Sequence, residues 1–254
     1  MDHLAFVQQF EDENHTAKLT VPAPAQFLKQ FISPEERENT GKFYNSRAEL
    51  ADDIVSLYRQ FIQKAYDSGL RYLQFDDVSW GRLVDDKAPE HFGTDQAGVE
   101  ELKQVFVDTN NRVIADRPED LVVNTHVCRG NFQSTYSASG PYDRVAEFLF
   151  EEENVNSYFL EFDDDRSGGF DPLQKISGDK EVVLGLITSK RPELEDKDQI
   201  IDRIHQAAEY IPLDRLSLSP QCGFASTEHG NKLSLEDQWN KLRLVKDIAD
   251  EVWA

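Results

Sequence analysis

The chain's two cysteines sit in short apolar-flanked segments beside other ligand-type residues: Thr125-His126-Val127-Cys128 and Ser219-Pro220-Gln221-Cys222-Gly223. A third apolar segment, Tyr158-Phe159-Leu160, is closed by Glu161. His126, Cys128, Glu161 and Cys222 together make an N/S/O/S set of the kind that holds zinc, which takes imidazole, thiolate and carboxylate in near-tetrahedral sites. His126 and Cys128 lie two apart, so on an extended strand end both side chains leave the same face and can reach one ion. A thiolate-rich zinc site keeps an incoming thiol deprotonated at neutral pH, which suits alkyl transfer to sulfur. Without a metal, the same residues read as two small buried hydrophobes, a hydrogen-bonded histidine and a strand-end ion-pair partner. His3, His15, His91, His205 and His229 stand in polar contexts; His229, soon after Cys222, is the reserve ligand.

Bringing such a set together requires elements whose ends converge. The chain alternates short β-rich runs with longer segments of helical period. Lys18–Pro22, Tyr72–Asp76, Leu121–Cys128, Tyr158–Phe162, Val182–Thr188 and Leu216–Ser219 read as strands. Ser46-Arg47-Ala48-Glu49 is a capping box opening a helix with Leu50, Ile54, Leu57, Phe61 and Ala65 on one face, stopped by Gly69. Ser234 and Asp237 open another, with Leu235, Trp239, Leu242, Val245, Ile248 and Val252 as its face. Ile200, Ile201, Ile204, Ala208 and Ile211 form the apolar side of a third, and weaker helical patterns cover 97–115 and 142–151.

Strands each followed by a helix predict a parallel sheet, and near-continuous apolar runs such as Val182 to Ile187 predict burial on both faces. No G-x-G-x-x-G follows any strand, which removes the main signal of a dinucleotide-binding sheet. The candidate ligands lie at or just past the C-terminal ends of three strands, where barrel active sites are assembled. The expected fold is α/β, a TIM (β/α)8-type barrel, as one domain over residues 1–254. About six βα units are legible against the eight of a closed barrel, so the barrel is expected to be incomplete.

Composition narrows the partners. A net charge of -21 disfavours nucleic acid and anionic membrane faces, because phosphate contacts need surface Lys and Arg. The acidic runs Glu151-Glu152-Glu153, Asp163-Asp164-Asp165 and 193–198 read as solvated faces and loops. No apolar run approaches the roughly 18 residues of a membrane span, and Met1-Asp2-His3 opens no basic signal region, so the expected location is cytoplasmic. Two cysteines make no disulfide framework, and in a reducing compartment they point to metal or catalysis.

The segments Asn124-Thr125-His126-Val127-Cys128, Phe159-Leu160-Glu161 and Leu218-Ser219-Pro220-Gln221-Cys222-Gly223-Phe224, in this order, resemble the zinc motifs of the cobalamin-independent methionine synthase (MetE-like) family, in its short branch. Gln74-Phe75-Asp76-Asp77 is similar to that family's Q-x-D-E strand end, and Leu184 to Lys190 and Ser219 to Thr227 look characteristic of the short branch. The resemblance implies a TIM barrel that moves a methyl group onto the thiol of homocysteine, giving methionine. It makes His126, Cys128, Glu161 and Cys222 the zinc ligands and Asp76 a binder of the substrate's amino group.

Two departures matter. Thr188-Ser189-Lys190 stands where the family carries a proton-donating histidine, so the methyl donor, a folate or a corrinoid, stays open. Family members also begin with about two βα units that this chain lacks, as in a truncated or separately encoded C-terminal portion. The gap is expected to be covered by the leader with Leu4, Phe6, Val7 and Phe10, by a second copy in a homo-oligomer, or by an N-terminal partner chain. A corrinoid-dependent methyltransferase of the uroporphyrinogen decarboxylase-like group and a non-catalytic zinc-binding fragment are the alternatives.

Overall fold

The computed structural model describes residues 1–254. Six strands, β1 (Lys18–Pro22), β2 (Tyr72–Asp77), β3 (Val122–Val127), β4 (Ser157–Glu161), β5 (Glu181–Ile187) and β6 (Leu216–Pro220), pair in parallel and in chain order. Each lies within one residue of the expected bounds. β6 does not pair with β1, so the sheet keeps two edges and forms an incomplete barrel. The inner strands are buried because both faces are covered: Val182, Leu184, Leu186 and Ile187 of β5 are all closed to solvent. Edge strand β1 instead alternates between exposed and half-buried residues.

The helices are α1 (Asp2–Gln8), α2 (Pro24–Ile32), α3 (Arg37–Thr40), α4 (Arg47–Asp67), α5 (Val78–Leu83), α6 (Ala88–Phe92), α7 (Gln96–Ile114), α8 (Lys197–Ala207) and α9 (Leu235–Val252). Ser46 caps α4 by accepting from the Glu49 amide, while the Glu49 carboxylate reaches back to the Asn45 amide rather than to Ser46. Ser234 and Asp237 form a reciprocal capping box on α9. The 142–151 pattern forms a 3-10 turn at Tyr142–Arg144 and a π-helical turn at Glu147–Glu152 rather than an α-helix.

Several faces differ from expectation. α4 buries Leu50, Ala51, Ile54, Val55, Ile62 and Ala65, while Leu57 is exposed and lines an apolar recess with Val21, Phe27, Tyr58 and Phe61. Leu235 and Trp239 in the first turns of α9 are exposed, and Lys241 and Ile248 are its buried residues. The leader forms α1, which buries Leu4 and anchors through the Gln8 amide to the Ser68 carbonyl, at the connection into β2. Phe6, Val7 and Phe10 remain exposed, and no strand pairing bridges β1 and β6.

Two acidic runs are not solvated throughout. Asp163 is buried against Arg166, and Glu153 is fully buried. The Asn110 side chain organises Glu153: its Nδ2 donates to Glu153 Oε1 at 2.8 Å and to Asp77 Oδ2 at 3.1 Å, while its Oδ1 accepts from the Ala25 amide at 2.9 Å. One residue of α7 thereby ties the start of α2 to the end of β2 and the approach to β4. Burial, followed by the charge of Asp77, pushes the Glu153 pKa up to about 8 against the hydrogen bond from Asn110. Burial likewise pushes Asp77 up.

Because folded Glu153 holds a proton that the unfolded chain releases near pH 4.5, its contribution is present below that value and is lost as pH rises through about 8. Unfolding by urea is therefore expected to show stability falling over this interval in the wild type. Glu153→Gln should flatten the slope; an unchanged slope would mean that Glu153 is ionised in the folded chain.

Candidate metal centre

The parallel register sets which side chains meet. β2 and β3 align Asp76 with His126, and β3 and β4 align Val127 with Leu160, so Cys128, one residue past β3, stands beside Glu161 at the end of β4. Cys222 follows β6 by two residues. The ligand atoms of His126, Cys128, Glu161 and Cys222 all lie within 4.8 Å of one another. The first three are buried and Cys222 is half-buried. His229 stays apart, its ring against Phe132.

Close backbone approach makes this convergence possible. A Cβ on Gly81 of α5 would lie 2.3 Å from the Cys128 carbonyl oxygen. One on Gly185 of β5 would lie 2.7 Å from the Leu160 carbonyl and 2.8 Å from Gln221 Cα. Neither position has room for a side chain. Buried Gln221 fixes the Cys222 loop to the end of β5: its Oε1 accepts from the Ser189 hydroxyl at 2.7 Å and the Ser189 amide at 3.2 Å.

Each ligand-type side chain is held by a second group. Asp76 Oδ1 accepts from His126 Nδ1 at 2.8 Å, which turns Nε2 toward the cluster, 3.7 Å from Glu161 Oε1 and 3.1 Å from the Gln221 carbonyl. Glu161 Oε1 accepts from the Arg129 amide at 2.8 Å, and Oε2 accepts from Arg166 Nη2 at 2.9 Å. Arg166 also pairs with Asp163 at 2.6 Å, and both side chains are buried. The Glu161 amide donates to the Tyr142 hydroxyl at 3.0 Å, and the Arg129 guanidinium lies 4.3 Å from the Tyr142 ring centre. The Gly130 amide donates to Cys128 Sγ at 3.4 Å.

The ionisable groups of the cluster shift one another strongly. Burial pushes the His126 pKa down, but the Asp76 hydrogen bond and the charges of Cys222, Asp76 and Glu161 outweigh it, leaving the imidazole at about 9. The hydrogen bond from Cys128 lowers Cys222 to about 7, with the His126 charge acting the same way; its counterpart on Cys128, with burial, raises Cys128. The two sulfurs thus shift in opposite directions, and Cys222 is the more readily ionised of the pair. Two soft sulfurs, an imidazole oriented by a carboxylate and a carboxylate fixed by Arg166 match a zinc donor set with its outer shell. A recess of about 140 Å³, lined by Lys18, Gln74, Phe159 and Gln221 among others, opens on His126 and Cys222. Lys18 Nζ donates to Gln74 Oε1 there at 2.8 Å and stands 4.6 Å from the Phe159 ring centre.

Residues 42–250 match the family model described as the cobalamin-independent synthase catalytic domain. The chain belongs to that family. Bacillus subtilis YxjH, an uncharacterized protein, is 47% identical over 94% of this chain and 62% of its own length. A methionine synthase from Pyrococcus horikoshii is 30% identical over 72% of this chain and 45% of its own. A candidate vitamin-B12 independent methionine synthase from Listeria monocytogenes superposes with a TM-score of 0.76 at 35% identity, over 100% of this chain and 69% of that one. The chain therefore spans 62% of the length of the Bacillus relative, and it is a methionine-synthase-like catalytic domain with an incomplete TIM-type barrel.

All four clustered side chains and Asp76 are among the residues expected from the sequence. Not among them are Arg166, Gln221, Tyr142 and Arg129, whose roles arise only when loops after different strands meet. The Asp-Asp-Asp-Arg run at 163–166 was the one available signal, an arginine closing an acidic stretch. Removing that arginine strands buried carboxylates: Arg166→Met is expected to lose about 3–5 kcal/mol of stability in chemical denaturation. A loss below about 1 kcal/mol would mean that Glu161 and Asp163 find other compensation.

Proposed function

We propose that His126, Cys128, Glu161 and Cys222 hold one zinc ion and that the centre serves methyl transfer to the thiol of homocysteine, giving methionine. The observation that carries this reading is the meeting of an imidazole, two sulfurs and a carboxylate within 4.8 Å at strand C-terminal ends. Zinc in such a set supplies the Lewis acidity that keeps a coordinated thiol deprotonated at neutral pH.

The chain's own residues supply positioning. Asp76 holds the His126 imidazole by one carboxylate oxygen, and its second oxygen, on a half-exposed side chain, is free to accept from the ammonium of an amino acid substrate. The recess beside Lys18, Gln74 and Phe159 gives a small ligand access to His126 and Cys222. In the transfer, a sulfur lone pair forms the new bond to the methyl carbon while the bond to the donor breaks and its electron pair leaves with the donor. No histidine occupies Thr188, Ser189 or Lys190: the Thr188 amide is engaged by Glu195 and the Ser189 hydroxyl by Gln221. The methyl donor is a folate or a corrinoid. We place the reaction in the cytoplasm and assign it to a barrel completed beyond the six strands, by another chain or segment.

Metal analysis of chain purified without chelator is expected to give about one zinc per molecule, and Cys128→Ser or Cys222→Ser to lose it. Full occupancy in both variants would sink the assignment. Asp76→Asn is expected to raise the KM for homocysteine about tenfold or more at retained zinc content, measured on the completed barrel with its methyl donor. An unchanged KM would confine Asp76 to orienting His126.

A further inference from the structure

A second polar recess, of about 210 Å³, lies between α2, α5 and α6, with Phe92 as its one apolar wall. Three basic side chains converge on it from three elements: Lys29 of α2, Arg82 of α5 and His91 of α6. In a chain of net charge -21, such a gathering runs against the overall field.

Neither Lys29 nor Arg82 has an ion pair within the chain, and His91 has only the distant one to Asp85. Lys29 is half-buried and makes neither an ion pair nor a hydrogen bond within the chain, and both burial and the neighbouring Arg82 charge push its pKa down. Arg82 uses Nη1 on the Ser137 carbonyl at 3.0 Å and on His91 Nε2 at 3.2 Å, leaving Nη2 and Nε without partners in the chain. Burial and the Arg82 charge push His91 down as well. The nearby carboxylates, Asp77 toward Lys29 and Asp85 and Glu90 toward His91, offset this only in part, and both groups stay shifted down. Asp85 stands 3.9 Å from His91 and is already engaged by the Lys87 and Ser139 amides, Asp77 is buried and bound to Asn110 and Ser79, and Glu35 lies exposed at the rim.

His91, whose Nε2 accepts from the Arg82 guanidinium, is a neutral wall; the two charges of Lys29 and Arg82, held together around a polar hollow, repel, and the repulsion becomes attraction when an anion enters. We propose that this recess is a binding site for a small oxyanion, a phosphate or a carboxylate group, with Lys29 and Arg82 as the charged contacts and Gln30 and Ser33 as neutral ones. The site is separate from the metal cluster and uses none of its residues. Its volume fits an inorganic anion or the acidic end of a larger ligand, and these share the same recognition chemistry.

Calorimetric titration of the wild-type chain with inorganic phosphate, and separately with glutarate, at constant ionic strength tests the assignment. Saturable binding of at least one is expected; phosphate alone marks a tetrahedral-anion site, and glutarate alone a carboxylate site. Lys29→Gln should weaken it about tenfold or more, and Lys29→Arg, which keeps the charge, should hold it within about threefold. Circular dichroism confirms that each variant is folded. Absence of saturable binding to either anion, or equal affinity in wild type and folded Lys29→Gln, overturns the proposal.

Discussion

A cluster of imidazole, two sulfurs and a carboxylate in a protein interior is a concentration of charge that must be balanced from outside its own shell. Here the balancing groups are Asp76 behind His126 and Arg166 behind Glu161, each within hydrogen-bonding distance. The first depends on parallel pairing and the second on a local turn. Asp76 faces His126 because β2 and β3 are in register, and Arg166 returns to Glu161 because the loop leaving β4 turns back within five residues. A slip of one residue between β2 and β3 would move the carboxylate or the imidazole to the opposite face of the sheet.

The same constraint explains where small residues are needed. Gly81 lets α5 press on the Cys128 carbonyl, and Gly185 lets the Gln221 backbone cross β5 at close range. The loop bearing Cys222 therefore reaches the cluster, though β6 is an edge strand that gains support from one neighbour only. Gln221 provides what the missing neighbour does not, by binding Ser189 through its side chain and His126 through its carbonyl. Sheet, glycines and polar outer shell act as one device for holding strand ends together.

Much of this was legible in the sequence because ligand chemistry resides in side-chain type and strand burial in apolar runs. The six strands and the four clustered residues follow from those two signals. What was not legible depends on tertiary meeting. Glu153 and Asp163 look like any acidic residue in a charged run, and only Asn110 and Arg166, remote or folded back, make their burial tolerable. Leu57, Leu235 and Trp239 fit the helical period, yet the neighbouring layer does not extend over them, so they face solvent. The short helices α5 and α6 have too few residues to show a period, although Asp77, which accepts from the Ser79 amide, caps α5 directly at the end of β2.

In the proposed centre, both cysteines, the histidine and the glutamate bind one metal ion together. X-ray absorption at the zinc edge on the zinc-loaded chain reads this directly. Two sulfur scatterers at about 2.3 Å and two nitrogen or oxygen scatterers at about 2.0–2.2 Å are predicted, with an imidazole signature in the outer shell. A first shell of nitrogen and oxygen alone, or of one sulfur, would contradict the account.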